Sequence, residues 1–182
     1  MNTPEDFVIA APRTWIVATP LEALERRLDL DDFYVDLELD AEVVPVRFGP
    51  GWLADDLADL PAVLERRRAD PDAPRPWTGT VIDRSRREAV GQIGCLAPPD
   101  VGGMVEVRYA TNVSERDAGY ATEAGAAFVA WLLARPEVEA VVAECLVTNA
   151  ASVRVLEKVG FELLEEREDE QGRLLRWVKR RA

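Results

Sequence analysis

The bend of the chain at residues 115–124 reads Glu115-Arg-Asp-Ala-Gly-Tyr-Ala-Thr-Glu-Ala124, with a single glycine, Gly119, near its middle. Before the bend, Val105-Glu-Val107 alternates apolar and charged residues, as a strand does. After it, apolar residues recur every three or four positions, as on one face of a helix: Tyr120, Ala124, Ala127, Phe128, Trp131 and Leu132. The stretch therefore predicts a strand, a turn at Gly119, and a helix that ends before Pro136.

The start of that helix is a candidate anion site. A helix start leaves about four backbone N–H groups unpaired and carries roughly half a positive charge, so a phosphate group can bind there. The bend contains one glycine, and neither a G-x-G-x-x-G nor a Walker sequence is present. From the spacing alone, an ordinary strand-to-helix turn is the more common explanation.

The segments before and just after the bend predict a sheet. Strand-like segments at residues 77–83, 89–96 and 104–111 are joined by short polar or Gly/Pro-rich connections, which are typical of an antiparallel meander. The apolar run at residues 140–147 is broken only by Glu144, as in a strand covered on both faces. A helix between two such strands indicates a crossover connection.

The last part of the chain predicts a helix and a hairpin. Residues 150–159 form the helix, with Asn149 as its candidate N-cap and Gly160 as its candidate C-cap. Residues 161–168 and 173–179 form the two strands of the hairpin. Together with the meander and the crossover, these elements predict an α+β, or mixed α/β, fold.

The first third of the chain is less regular. Residues 14–19 predict a strand, a helix follows from Leu21 to about Asp29, and residues 33–39 alternate with period two without deciding between helix and strand. Prolines then break the chain into short pieces, of which residues 62–69 are the best helix; these prolines are Pro45, Pro50, Pro61, Pro71, Pro74 and Pro76. With 182 residues, we expect one domain over residues 1–182.

Composition excludes several functions. With 34 acidic and 22 basic residues, the net charge is −12, so general binding to nucleic acid or to an anionic membrane is not expected. The absence of histidine excludes Ser-His-Asp and Cys-His hydrolases and argues against a metal site of the usual zinc type. Since no signal peptide or long apolar run is present, we expect a soluble, cytoplasmic protein with Cys95 and Cys145 as buried thiols.

Three motifs in this chain resemble those of the GNAT superfamily of acyl-CoA-dependent N-acyltransferases. Arg116-x-x-Gly119-x-Ala121 matches the phosphate-loop pattern [Gln/Arg]-x-x-Gly-x-[Gly/Ala]. Asn149-x-x-Ser152 and Leu156-Glu-Lys-Val-Gly-Phe161 follow in the same order as in the branch that contains the ribosomal-protein N-terminal (alanine) acetyltransferases. The resemblance covers residues 104–161 and implies a central, mostly antiparallel sheet, splayed at the cofactor site, with helices on both faces.

The resemblance also implies acetyl-CoA as co-substrate, without a metal. Backbone N–H groups from Arg116 to Ala121 would bind the pyrophosphate, and residues 109–113 would run beside the pantetheine arm. The implied cofactor-binding residues are Thr111, Val113, Arg116, Asp117, Ala118, Gly119, Tyr120, Ala121, Thr122, Asn149 and Ser152. For Asn149, helix capping is an alternative role or a second one.

Three residues are candidates for catalysis. Glu106 is the first choice for the general base, because it is the charged member of an apolar alternation and its position resembles that of a catalytic glutamate in several relatives. Glu144, isolated in an apolar run, is the rival base. Ser152 is the candidate acid for the leaving thiolate. The alternatives are a solvent-facing glutamate at position 106 and a small polar residue in a first helical turn at position 152.

These residues predict an N-acetyltransferase that acts on a primary amine of a peptide or small-molecule acceptor. One departure from the family is Asp117-Ala118 before the glycine, where relatives commonly have basic or glycine residues. The Asp117 carboxylate could cap the helix and occupy the N–H groups, or it could point to solvent. The alternative function is therefore a catalytically degenerate domain that binds CoA or a partner. Family likeness makes a homodimer a further expectation.

Overall fold

A computed structural model describes residues 7–70, 76–169 and 172–181, which form four α-helices and ten strands. The helices are α1 (Leu21–Arg27), α2 (Leu60–Ala69), α3 (Tyr120–Leu133) and α4 (Ala150–Val159). The strands are β1 (Val8–Ala10), β2 (Thr14–Ala18), β3 (Phe33–Leu39), β4 (Glu42–Phe48), β5 (Thr78–Asp83), β6 (Glu88–Cys95), β7 (Met104–Thr111), β8 (Ala140–Leu146), β9 (Glu162–Asp169) and β10 (Gly172–Arg180).

The strands form one large sheet in the order β1-β2-β5-β6-β7-β8-β10-β9. Neighbouring strands in this order are antiparallel, except for the parallel pair β7–β8. The predicted meander is thus β5–β6–β7, the crossover runs through α3, and the terminal hairpin is β9–β10. Positions 170 and 171 of that hairpin lie outside the described residues.

Helices cover both faces of the sheet. On one face, Phe128 and Leu132 of α3 and Leu156 of α4 pack into the same apolar core as Val105 of β7 and Val141 of β8. On the other face, α1 and α2 pack over a second core; its members include Leu24, Leu64, Phe33, Phe48 and Trp52. The expected α+β fold, with a mostly antiparallel sheet between helices, is confirmed.

The parallel strands β7 and β8 separate after a short paired region. Their register pairs Met104 with Ala140, Val105 with Val141 and Glu106 with Val142. Beyond these residues, β7 remains paired with β6 as far as Thr111, while β8 remains paired with β10. The opening between the two strands is called the gap here. The gap is the splayed region of the sheet that the family resemblance implies.

The hairpin β3–β4 corrects the sequence-based description of the first third. Residues 33–39, left undecided, are strand β3, and Pro45 does not break the chain but lies within β4, opposite Asp36. Pro45 is tolerated because β4 pairs with β6 at one residue pair only, so the missing N–H leaves little of the ladder incomplete. Helix α2 starts at Leu60, with Pro61 in its first turn, and Pro71 and Pro74 lie outside the described residues.

Both Cys95 and Cys145 are free and buried, as expected. Burial raises the pKa of the Cys95 thiol to about 12, so this side chain is uncharged at neutral pH. In the part of the chain that the structure describes, no helix is long and apolar enough to cross a membrane.

Candidate active site

The predicted phosphate loop connects the end of β7 to the start of α3. A short 3-10 turn at Val113–Glu115 follows the strand, and residues 116–119 are exposed. Asp117 and Gly119 both have positive φ angles, 61° and 83°. Glycine adopts this conformation without a steric cost, and aspartate is one of the few other residues that tolerate it. The two left-handed residues turn the chain sharply into the helix.

The start of α3 has no side-chain cap. Gly119 is the N-cap residue, and no side chain accepts a hydrogen bond from the first turn. The idea that the Asp117 carboxylate caps this helix is therefore wrong, and Asp117 is exposed instead. Since the first backbone N–H groups of a helix have no intrahelical partner, those of α3 are available to an anion.

A small cavity lies between the first turns of α3 and the strands β6 and β7. Its walls include the predicted residues Thr111, Tyr120 and Ala121, and also Tyr109. Three of the predicted cofactor residues are thereby brought together.

Across the gap, Tyr109 of β7 contacts Ser152 of α4. The two hydroxyl oxygens are 2.8 Å apart, and the backbone N–H of Ser152 donates to the Asn149 side chain at 3.1 Å. Asn149 is thus the N-cap of α4, as predicted. Burial raises the pKa of Tyr109, although its hydrogen bond to Ser152 opposes the rise, so the phenol is protonated at neutral pH.

Glu106 and Glu144 lie on the sheet face opposite to α3 and α4. Their neighbours in sequence, Val105, Val107, Ala143 and Cys145, belong to the core under those helices, and side chains of a strand alternate between faces. Since Glu106 is in register with Val142, Glu144 follows two residues further on the same face. The two candidate bases are therefore neighbours on one surface.

The two carboxylates differ in their partners. Glu144 forms ion pairs with Arg167 at 2.5 Å and with Arg176 at 3.3 Å. No described residue donates a hydrogen bond to the half-buried Glu106 or forms an ion pair with it. Burial and the negative charge of Glu144 raise the pKa of Glu106, while Arg176 and Arg167 oppose the rise. Glu106 is therefore the better placed of the two to accept a proton.

Most of the chain matches one known protein family. The model of the acetyltransferase (GNAT) domain matches residues 20–162. The chain belongs to the GNAT family. The expectation of a GNAT acetyltransferase is thereby confirmed, and the match also includes the α1–α2 region, where the sequence motifs are weak.

Individual relatives resemble parts or all of the chain. The uncharacterized N-acetyltransferase YjdG of Bacillus subtilis (strain 168) is 40% identical over 81 residues, which are 44% of this chain and 48% of the relative. The chain thus matches about half the length of that curated relative. Among solved structures, RimL, described as a ribosomal L7/L12 alpha-N-protein acetyltransferase in complex with coenzyme A, has a TM-score of 0.70 at 12% identity. That match covers 96% of this chain and 98% of RimL.

A second solved structure is the spermidine/spermine N-acetyltransferase SpeG from Vibrio cholerae, with a TM-score of 0.68 and 11% identity. The match covers 93% of each chain. At such low identity, both structures show that the GNAT fold is shared and do not identify the acceptor. No group of metal-ligating side chains is found in the described ranges.

Sequence reasoning missed the residues that hold the predicted phosphate loop against the sheet. The Tyr120 hydroxyl donates to the buried Asp83 at the end of β5, at 2.5 Å. Arg86 pairs with Glu115 of the loop at 2.5 Å. On the other side, Arg13 hydrogen-bonds to the loop and to α3. These partners are between 29 and 110 positions apart in sequence, so no local spacing indicates them.

Proposed function

We propose that this chain is an N-acetyltransferase that transfers the acetyl group of acetyl-CoA to a primary amine. The observation that carries the proposal is the gap between β7 and β8, with an uncapped helix start near one end and an unpaired, half-buried Glu106 on its far face. Family membership supports the same reaction.

In this proposal the pyrophosphate binds the N–H groups of the loop and of the first turn of α3. The pantetheine arm lies along residues 109–113, where β7 has no strand partner across the gap. Edge groups of a strand need hydrogen-bond partners, and an extended amide chain can provide them. The proposed contacts are Thr111, Val113, Arg116, Asp117, Ala118, Gly119, Tyr120, Ala121, Thr122, Asn149 and Ser152.

The proposed chemistry uses both faces of the sheet. Glu106 takes a proton from the acceptor amine, whose nitrogen attacks the thioester carbonyl carbon. As the C–N bond forms and the C–S bond breaks, Ser152 donates a proton to the departing thiolate and takes a replacement from the Tyr109 hydroxyl. Glu106 releases its proton to solvent, and Tyr109 takes one up from solvent. The base and the acid lie on opposite faces, with the gap between them, so a thioester in the gap would meet the amine on one side and Ser152 on the other. Glu144, neutralised by two arginines, adjusts the charge around Glu106 in this scheme.

The net charge of −12 favours a cationic acceptor, such as a protein N-terminus or a small polyamine-like amine. RimL is described as an alpha-N-protein acetyltransferase and SpeG as a spermidine/spermine N-acetyltransferase, so each kind of acceptor occurs among proteins of this fold. Equal turnover of neutral and cationic amines of the same size would remove this preference. A homodimer, a cytoplasmic location and a single domain over residues 1–182 stay predictions, which light scattering, cell fractionation and limited proteolysis can check.

The proposed function is tested by titrating the protein with acetyl-CoA in a calorimeter and then measuring thiol release over a panel of primary amines. Saturable binding with amine-dependent thiol release is the expected result. Binding without release on any amine would support the degenerate, CoA-binding alternative. If neither binding nor a thermal shift is seen on adding acetyl-CoA, the enzyme proposal is wrong.

For Ser152, we expect the Ser152→Ala variant to lower kcat about tenfold to a hundredfold, the range of a modest general acid. The KM for acetyl-CoA should change less than threefold, because the backbone N–H that Asn149 accepts is kept. Steady-state kinetics with both substrates varied measures the two parameters. A rise in KM with unchanged kcat would mean that Ser152 contacts the cofactor without donating the proton.

A further inference from the structure

Arg13 lies in the turn between β1 and β2 and reaches the start of α3. Its backbone N–H donates to Glu123 at 2.9 Å, and its backbone carbonyl accepts from the N–H of Arg84 at 2.9 Å. Nε of the side chain donates to the other oxygen of Glu123, also at 2.9 Å. Glu123 and Arg84 therefore hold the turn in place, independently of the contact between the guanidinium and the loop.

The rest of the guanidinium contacts the loop itself. Nη1 donates to the carbonyl oxygen of Ala118 at 3.0 Å, and the guanidinium carbon lies 5.2 Å from the centre of the Tyr120 ring. Burial opposes the charged form of Glu123, but hydrogen bonds from Arg13 and Thr14 outweigh it and lower the pKa of Glu123. The pair Arg13–Glu123 is therefore charged on both sides at neutral pH.

The contact with Ala118 determines the direction of one N–H group. The peptide between Ala118 and Gly119 is trans, so its carbonyl and its N–H point in opposite directions. When Arg13 holds the Ala118 carbonyl, the N–H of Gly119 faces away from Arg13. That N–H belongs to the loop proposed to bind the pyrophosphate.

The position of the Arg13 guanidinium also depends on the absence of a side chain at Gly119. A Cβ atom at position 119 would lie 3.3 Å from Nη2 of Arg13, which is tighter than an ordinary contact. With φ at +83°, the position already favours glycine. The glycine of the loop motif thus leaves room for the arginine as well as allowing the bend.

We propose that Arg13 is a positioning residue of the cofactor loop: its ion pair with Glu123 and its hydrogen bond to Ala118 hold the Gly119 N–H toward the diphosphate. This inference rests on the proposed function. Arg13 acts through the loop, because Nε is bound to Glu123 and Nη1 to Ala118. A side chain that carries the positive charge without the planar, fork-shaped set of donors cannot replace Arg13.

The test compares ligands with and without a diphosphate in Arg13→Gln. We expect the Kd for CoA and for dephospho-CoA to rise by the same factor, about tenfold, since both carry the diphosphate. The KM and kcat with acetyl-pantetheine, which has no diphosphate, should stay within twofold of the wild type. Arg26→Gln, which removes an arginine paired with Glu22 on α1, is the matched control and should leave all constants unchanged.

Arg13→Lys separates positioning from simple charge attraction. Lysine keeps the charge but cannot reach Glu123 and Ala118 with two fixed donors, so we expect its Kd for CoA to match that of Arg13→Gln. Recovery of wild-type affinity with lysine would overturn the inference, and so would equal losses with CoA and acetyl-pantetheine. If Arg13→Gln does not fold, Glu123→Gln tests the same pair by the same readouts.

The two proposals fail in different ways. A wild-type protein that binds no CoA and releases no thiol contradicts the enzyme function and, with it, this inference. A wild-type protein that binds and reacts, together with an Arg13→Gln variant of unchanged CoA affinity, contradicts the role of Arg13 alone.

Discussion

Replacing Glu106 with glutamine should lower kcat about a hundredfold or more, which is the range for loss of a general base. The carboxylate is half-buried and has no hydrogen-bond donor or ion-pair partner among the described residues, so it is free to accept a proton from the amine. Glutamine keeps the shape of the side chain but cannot take the proton. Thiol release at saturating acetyl-CoA and amine measures the change, and the Kd for CoA should not change.

The pH dependence adds a second readout to this prediction. The base must be ionised, so kcat/KM should fall as the pH is lowered through the pKa of Glu106, which burial and Glu144 raise above the ordinary value of 4.5. Glu144→Gln removes the negative charge that raises the pKa of Glu106, so this pKa should be lower in the variant. In that variant the acid limb should move to lower pH, with little loss of kcat at neutral pH.

The pair of variants also decides between the two candidate bases. A large loss of kcat in Glu144→Gln, with near-normal turnover in Glu106→Gln, would assign the base to Glu144. Normal turnover in both variants would leave water as the base. A double variant that is no worse than Glu106→Gln agrees with a role for Glu144 in tuning charge only.

The elements that sequence predicts well are those whose signal is local. The helix from Tyr120, the caps Asn149 and Gly160 and the terminal hairpin follow from periodicity and capping residues within a few positions. Sequence does not decide residues 33–39, because an apolar spacing that would extend the preceding helix competes with a period-two alternation. The partner strand β4 gives no clear signal either, since it contains Pro45, which usually argues against a strand. Strand β4 tolerates Pro45 because it pairs with β6 at a single residue pair.

The residues of the candidate site also divide into those with a local sequence signal and those without one. The loop, Asn149 and Ser152 could be proposed from motifs, because the motif residues lie within a few positions of each other. The sequence favours Glu106 over Glu144 by position alone, because the ion pairs that distinguish the two carboxylates come from Arg167 and Arg176 of the terminal hairpin. Tyr109 could have been suspected, because it continues the alternation of Val105 and Val107 and is a polar-tipped residue on that face. Arg13 gave no local signal, because its partner Ala118 is 105 positions away.

Removal of the buried Asp83 carboxylate should lower the stability of the protein. It is 6% exposed and accepts hydrogen bonds from the Tyr120 hydroxyl, the Ser85 hydroxyl and the backbone N–H of Arg86. Burial opposes its ionisation, but these donors and the charge of Arg86 lower the pKa of Asp83 to about 2. A lowered pKa means that the folded state favours the ionised carboxylate, so Asp83→Asn should lose about 2 kcal/mol of unfolding free energy at pH 7.

The same pKa determines how this loss depends on pH. The stabilisation by Asp83 is complete well above the ordinary pKa of 3.8 and disappears as the pH falls toward 2. In urea unfolding, the difference between the wild type and Asp83→Asn should therefore be constant from pH 7 to pH 5 and decrease to roughly half by pH 3. Asp36→Asn, at an exposed position on β3, is the control and should show almost no difference at any pH. A difference for Asp83→Asn that stays constant down to pH 3 would mean that lost packing, and not the buried charge, links the start of α3 to β5.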